Sequence, residues 1–184
     1  MGRPKKFCRT DILCKAIPLF WKKGFADTGL QDIEKATGVN KSGLYSEFKD
    51  KEDLFVQSLN YYLETRNGKE ILSKEPLGWN NIEEFLTKVM ACSESQGGCF
   101  SVSSMRDLSS LPAEANEMVN KSFVQLKKSI ATNIAAEETK MDSSLLAEMV
   151  VTFYTGICFE QNLKNPRNST NRKIEDFLSL LKKS

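Results

Sequence analysis

Residues 28–51, TGLQDIEKATGVNKSGLYSEFKDK, decide the fold. Thr28 and Gln31 stand at capping-box spacing, so a helix is expected from about residue 29. Leu30 and Ile33 give it an inward face, and Gly38 ends it, because glycine takes the positive φ of a tight turn at no steric cost. Val39 packs in the turn. Asn40 caps a second short helix over about 41–47, with Leu44 and Phe48 toward the core. Lys41, Ser42, Gly43, Tyr45 and Ser46 are left to point elsewhere. Two short helices about a glycine turn make a helix-turn-helix over about 29–48.

Working outward toward the start, residues 10–23 repeat apolar side chains at three- and four-residue steps, from Ile12 and Leu13 to Phe20 and Trp21. Thr10 is the expected cap, Pro18 is expected to kink the helix, and Gly24 closes it. Before it, residues 1–9 form a basic arm with Arg3, Lys5, Lys6 and Arg9 around Pro4. Such an arm either lies along phosphates or enters a minor groove, or it is a solubilising tail.

Working toward the end, Asp50 caps a helix that runs to about 66, and residues 67–80 read as a loop. A helix is expected over 81–93, broken by SQGGC at 95–99, then a weak one over 101–110. Pro112 opens a long helix carrying Val119, Phe123, Leu126, Ile130 and Ile134. Asp142 caps the next, and Asn171 starts the last. No repeat and no strand series is present, so the fold class is all-α. The expected division is an arm at 1–9, a three-helix reading head at 10–50, and a helical body at 51–184, with 51–66 as the connecting helix.

Composition narrows the chemistry. The 184 residues contain no histidine, which removes Ser-His, Cys-His and His-metal arrangements together. The five cysteines form no CxxC pair, so no metal site is expected, and their odd count suits a reducing compartment. No catalytic residue and no cofactor is assigned. No secretory leader and no apolar run of membrane-spanning length is visible, which reads as a soluble cytoplasmic protein with no membrane partner. Up to residue 50 there are ten Lys and Arg against six Asp and Glu; after it, sixteen against eighteen. A basic front on a slightly acidic body suits a polyanion at the front, or is the ordinary variation of a mixed surface.

In a DNA-reading helix-turn-helix the second helix enters the major groove with its N-terminal residues nearest the bases. Here those are Asn40, Lys41, Ser42 and Gly43. Lysine donates to guanine O6/N7 or to phosphate, and Ser and Asn serve either purpose. Gly43 has no side chain and would let the backbone approach the groove wall. Tyr45 offers a hydroxyl to a phosphate, Thr28 and the N–H groups after it hold another, and Lys49 and Lys51 a third. The same geometry also occurs as a plain packing unit with no nucleic acid.

Several spaced elements resemble the DNA-binding domain of TetR-family transcriptional regulators over residues 10–63. They are GRPKK before the first helix, ILCKAIPLFWKKGF, the T-x-L-x-x-I from Thr28 to Ile33, GVNKSGLYSEF, and the K-x-x-L from Lys51 to Leu54. The resemblance implies a homodimeric transcriptional regulator with a ligand-binding body, expected to be a repressor on a palindromic operator, released by a small apolar or amphipathic effector. It also implies DNA contacts at Thr28, Asn40 to Gly43, Tyr45 and Lys51. Two residues depart from the pattern. Glu34 replaces a small residue and must lean outward or pair, with Lys35 or Lys41, because a buried lone charge is costly. Glu47 replaces a frequent histidine and would repel phosphate. These motivate an alternative: a helical ligand-binding or interaction protein with lost or altered DNA reading.

The family dimerises through its last two helices, matched here by 142–160 and 171–183. Leu146, Val150, Ile157, Ile174, Phe177, Leu178 and Leu181 are the candidate interface, although core and interface share a composition. Phe85, Cys99, Met105, Phe123, Met149, Phe153 and Tyr154 are candidate liners of an effector pocket, or plain core. Cys8 in the arm and Cys99 beside two glycines are candidate oxidant reporters, or inert thiols.

Overall fold

The computed structural model describes residues 7–92, 98–161 and 170–183. Among them the chain forms ten α-helices and one 3-10 turn, with no strand. In order these are α1 (Arg9–Lys23), α2 (Leu30–Thr37), α3 (Lys41–Glu47), α4 (Lys51–Thr65), α5 (Gly68–Leu72) and α6 (Trp79–Cys92). Then come α7 (Phe100–Ser104), the 3-10 turn Met105–Asp107, α8 (Ala113–Ile134), α9 (Ser143–Glu160) and α10 (Thr170–Leu181). The all-α expectation holds. No described helix is long and apolar enough to cross a membrane.

The chain divides into two compact units. The first takes residues up to Thr65 together with Ser103–Val119; the second takes Arg66–Val102 and Asn120 onward. The division falls at the end of the connecting helix α4, and the first unit recruits a distant segment.

In the first unit α1 packs on α2 and α4. Ile12, Leu13, Ala16, Phe20 and Trp21 are its buried face, as their spacing predicts. Phe55 of α4 receives Phe20 and Phe25 edge-on, each with ring centroids 5.1 Å apart. A fully buried ring of this kind contributes about 1.5–3 kcal/mol, so this trio anchors the unit. The helix runs through Pro18 and starts at Arg9 with Cys8 as its cap residue, two residues earlier than Thr10 suggested. Its far end is closed by the recruited segment. The Asp107 carboxylate accepts the Phe25 N–H at 2.8 Å, and Arg106 Nη2 donates to the Trp21 carbonyl at 3.0 Å. Gly24, at φ 87°, makes room: a Cβ there would meet Asp107 Oδ2 at 2.3 Å.

In the second unit α6 packs on α5 and α10. The stretch expected to be loop at 67–80 contains α5, whose Ile71 and Leu72 are buried; five residues are too few to show a helical period. Asn133, fully buried in α8, ties the unit together. Its Nδ2 donates to the carbonyls of Leu72 and Ser129, and its Oδ1 accepts from Gly78 N and Asn81 Nδ2. Asp142 caps α9 through the N–H groups of Ser144 and Leu145, as the sequence suggests.

Candidate nucleic-acid interface

α2 and α3 meet across Gly38, which takes the left-handed conformation at φ 73° and donates its N–H to Glu34 O. The start of α2 differs from the Thr28–Gln31 box. The cap residue is Gly29, and Asp32 reaches back to accept its N–H at 3.0 Å. Lys23 also binds Asp32 at 2.7 Å, and these two donors, Lys23 foremost, hold the Asp32 carboxyl below the usual carboxylate range. Thr28 is only 1% exposed and its hydroxyl donates to the Gly24 carbonyl. The expected phosphate contact through that side chain is thus corrected: Thr28 fastens the loop between α1 and α2.

The start of α3 carries two acceptors. Asn40 Oδ1 takes the Gly43 N–H at 2.9 Å, as expected for a cap. Glu34 Oε1 takes the Lys41 N–H at 2.5 Å. Glu34 therefore pairs with Lys41 through its backbone, and its charge sits at the positive end of α3, where it is stabilised.

Leu44 and Phe48 are buried, and Asn40, Lys41, Ser42, Tyr45, Ser46 and Lys49 form one exposed face. Tyr45 is 45% exposed, an unusual state for a large ring, with the Lys41 ammonium 5.8 Å from its centroid. Gly43 is only part-exposed. The space its Cβ would occupy belongs to Val39 and to the Phe7 ring, so its glycine serves an internal approach rather than a groove wall. Arg9 donates to the Glu47 carbonyl and lies over the Phe48 ring at 4.3 Å. Phe7 and Arg9 together fix the root of the arm against α3. Arg3, Lys5 and Lys6 lie outside the described residues.

Lys51, at the start of α4, is turned inward. Its ammonium donates to the carbonyls of Phe25 at 3.0 Å and Thr28 at 3.2 Å and lies over the Phe25 ring. The loop carbonyls, which no sequence motif marks, are what claim it.

In the second unit Phe85, Cys99 and Tyr154 are buried, with Phe85 and Tyr154 rings 5.4 Å apart. Phe123 is half-buried. Met105 falls in the first unit, apart from the other proposed pocket liners. Met149 is 39% exposed, and Phe153 stacks on Phe177 with ring centroids 3.9 Å apart. The candidate interface residues also need correction. Leu146, Val150, Ile157, Ile174, Leu178 and Leu181 are core of this chain, and of the set only Phe177 reaches the surface. The exposed apolar side chains of α9 and α10 are instead Leu145, Met149, Phe159 and Leu180. An open groove beside them is lined by Phe153, Gly156, Ile157, Phe159, Glu160 and Lys173. Helical spacing alone marks an apolar stripe but not which edge of it stays uncovered.

Residues 12–57 match the family described as bacterial regulatory proteins, tetR family. The chain is 32% identical over 114 residues to the HTH-type transcriptional repressor ComR of Escherichia coli strain K12, covering 59% of this chain and 54% of ComR. It thus spans about half the length of that relative. It is 23% identical over 183 residues to the biofilm operon icaADBC HTH-type negative transcriptional regulator IcaR of Staphylococcus aureus strain Newman, covering 94% and 96% of the two chains. Among solved structures, a cysteine mutant of the TetR family transcriptional regulator CifR, complexed with 26 bp double-strand operator DNA, superimposes with a TM-score of 0.86 at 22% identity. The match covers 98% of this chain and all of that one. The matched residues, 12–57, hold the capped α2–Gly38–α3 pair, and it is this stretch of the chain that carries the likeness to the tetR family of bacterial regulatory proteins.

Proposed function

We propose that the chain is a transcriptional repressor that binds an inverted-repeat operator as a homodimer and is released by a small effector. The observation that carries the DNA reading is the exposed face of α3, where Lys41, Ser42 and Tyr45 stand between exposed Asn40 and Lys49 on a helix whose Leu44 is locked into the core. Lys41 and Ser42 are the base readers, and Tyr45 and Lys49 the phosphate contacts. Lys51 acts on DNA indirectly, by holding the loop before α2. Glu34 is engaged as a cap, so it presents no loose charge to phosphate, which supports reading over lost reading.

Two heads on one palindrome must sit about one DNA turn, roughly 34 Å, apart, so a twofold dimer is required. Gly156 supports α9 as its seat. A Cβ there meets nothing within 4 Å, so this mid-helix glycine answers no need within the chain. It leaves room for a second copy of α9 to approach, flanked by Met149, Phe153 and Phe177. The effector reading rests on Ser101, whose buried hydroxyl has no hydrogen-bond partner among the described residues and is available to a polar group of a ligand.

The test is a binding titration on the DNA upstream of this protein's own gene, at several salt concentrations. Tight, salt-sensitive binding to an inverted repeat supports the reading. Lys41→Ala and Tyr45→Ala variants that bind as tightly as the parent overturn the assignment of α3. A thermal-shift screen of small amphipathic compounds tests the effector.

A further inference from the structure

Two of the cysteines, Cys99 and Cys158, are both buried in the second unit. The backbone before Cys99 lies directly on α9. Gly98 has φ 82°, and a Cβ on it would fall 2.4 Å from the Cys158 carbonyl oxygen and 3.1 Å from its Cα. Only glycine permits that approach, and Cys99 is the next residue. Arg66 Nη1 lies 3.5 Å from Cys99 Sγ, and the Arg66 charge also acts on Cys158. Tyr154, one turn earlier on α9, is buried with Cys158.

The two sulfurs are in unlike settings. Cys99 Sγ has the Arg66 guanidinium within reach, a donor that steadies negative charge on that sulfur during attack. Burial, and then the charge of a Cys99 thiolate, push the Cys158 thiol well up, against smaller opposing effects of Tyr154 and Arg66. Cys158 therefore keeps its proton at neutral pH. A sulfur with a guanidinium at its side, on backbone that lies against the backbone of a second buried cysteine, is the arrangement of an attacking and a resolving thiol.

We propose that Cys99 and Cys158 are a redox modification site that closes to an intramolecular disulfide on reaction with a small hydroperoxide. The Cys99 sulfur attacks the terminal peroxide oxygen. An S–O bond forms, the O–O bond breaks, and the leaving oxygen departs as water or an alcohol with the proton that Cys99 gives up. Cys158 then attacks the sulfenic sulfur. The S–S bond forms, the S–O bond breaks, and the hydroxyl leaves as water with the Cys158 proton. The two thiols lose two electrons and the peroxide gains them. Burial restricts the oxidant to a small one, and the product links the entry to α7 with α9. The site lies within the second unit and stands whether or not the head binds DNA.

The test is chemical. The full chain is treated with hydrogen peroxide, unfolded in an alkylating agent, digested and mapped by mass spectrometry. The expected product is a linked Cys99–Cys158 peptide, with Cys158→Ala stopping at a sulfenic acid on Cys99 that dimedone traps. Arg66→Met is expected to slow formation of the link about tenfold, the loss of one favourable charge beside a thiolate. Because the parent chain alone yields the map, a variant that fails to fold leaves the outcome readable. The proposal is overturned if Cys99 and Cys158 stay alkylatable while exposed Cys8 is oxidised, if Cys99 links to another cysteine, or if a folded Arg66→Met closes at the parent rate.

Discussion

The Phe7 ring occupies the space that a side chain on Gly43 would fill: a Cβ built there lies 3.0 Å from Phe7 Cζ and 2.7 Å from Val39 Cγ1. The arm root and α3 are therefore interlocked by an absent methyl group. Gly43→Ala is expected to destabilise the first unit by about 1–3 kcal/mol through overpacking. Phe7→Ala in the same chain should return part of that loss, since residues in contact couple. Denaturant titration of the two single variants and the double variant measures the coupling, and strict additivity would show that the ring is not held there.

Lys51 makes a prediction that separates positioning from DNA contact. Its ammonium binds two loop carbonyls, so Lys51→Met is expected to cost about 1.5–3 kcal/mol with no DNA present. A residue that only touched phosphate would leave thermal stability unmoved. Unfolding curves without DNA decide between them.

Asp32 carries the pH dependence of the head. Its folded carboxyl is held below the ordinary value, first by the Lys23 hydrogen bond and then by the Gly29 N–H. A depressed carboxylate contributes stability that is complete above the unfolded value, about 4, and is lost as pH falls through the folded value. The Asp32→Asn variant should therefore melt below the parent at pH 7, and the gap should close on acidification below about 4. A gap that persists at the acid end would refute the assignment.

Asn133 satisfies four polar groups at once inside the second unit. Asn133→Leu leaves buried donors and acceptors without partners, and about 3 kcal/mol or more of stability should go with them. Urea titration gives the number; a loss below about 1 kcal/mol would mean that the loop rearranges to find other partners.

Gly156 tests the dimer. A side chain there meets empty space in the single chain, so Gly156→Leu should leave helix content intact and raise local helix propensity by about 1 kcal/mol. If α9 packs against a second α9 at that point, the same change drives the protein to monomers in sedimentation at micromolar concentration. A dimer of unchanged affinity would move the interface elsewhere.

What the sequence disclosed follows a physical divide. Caps and stops are local, so Gly38, Asn40 and Asp142 were legible from neighbours a few residues away, and apolar periodicity placed α1, α8 and α9. Side-chain destinations are not local. Nothing near Lys51 announces that the carbonyls of Phe25 and Thr28 will claim it, and nothing near Thr28 announces its burial. The α9 and α10 residues divided between core and surface by fewer than 100° of helix rotation, finer than an apolar pattern resolves. Nothing in an arm rich in charge marks Phe7, or separates Arg9 from the other basic residues, as the pair that fastens it.

The seat that Gly24 and Phe25 offer Asp107 has a bearing on how this head can be inherited or transplanted. The C-terminal end of α1 is finished by a residue more than a whole reading head away in sequence. A chimaera that carries residues 1–65 onto a foreign body would leave the Phe25 N–H and the Trp21 carbonyl unmatched unless the new host supplied an equivalent of Arg106 and Asp107. Recombination between relatives should therefore keep 103–119 with the head it completes, so that the working cassette is split along the gene although it is single in space.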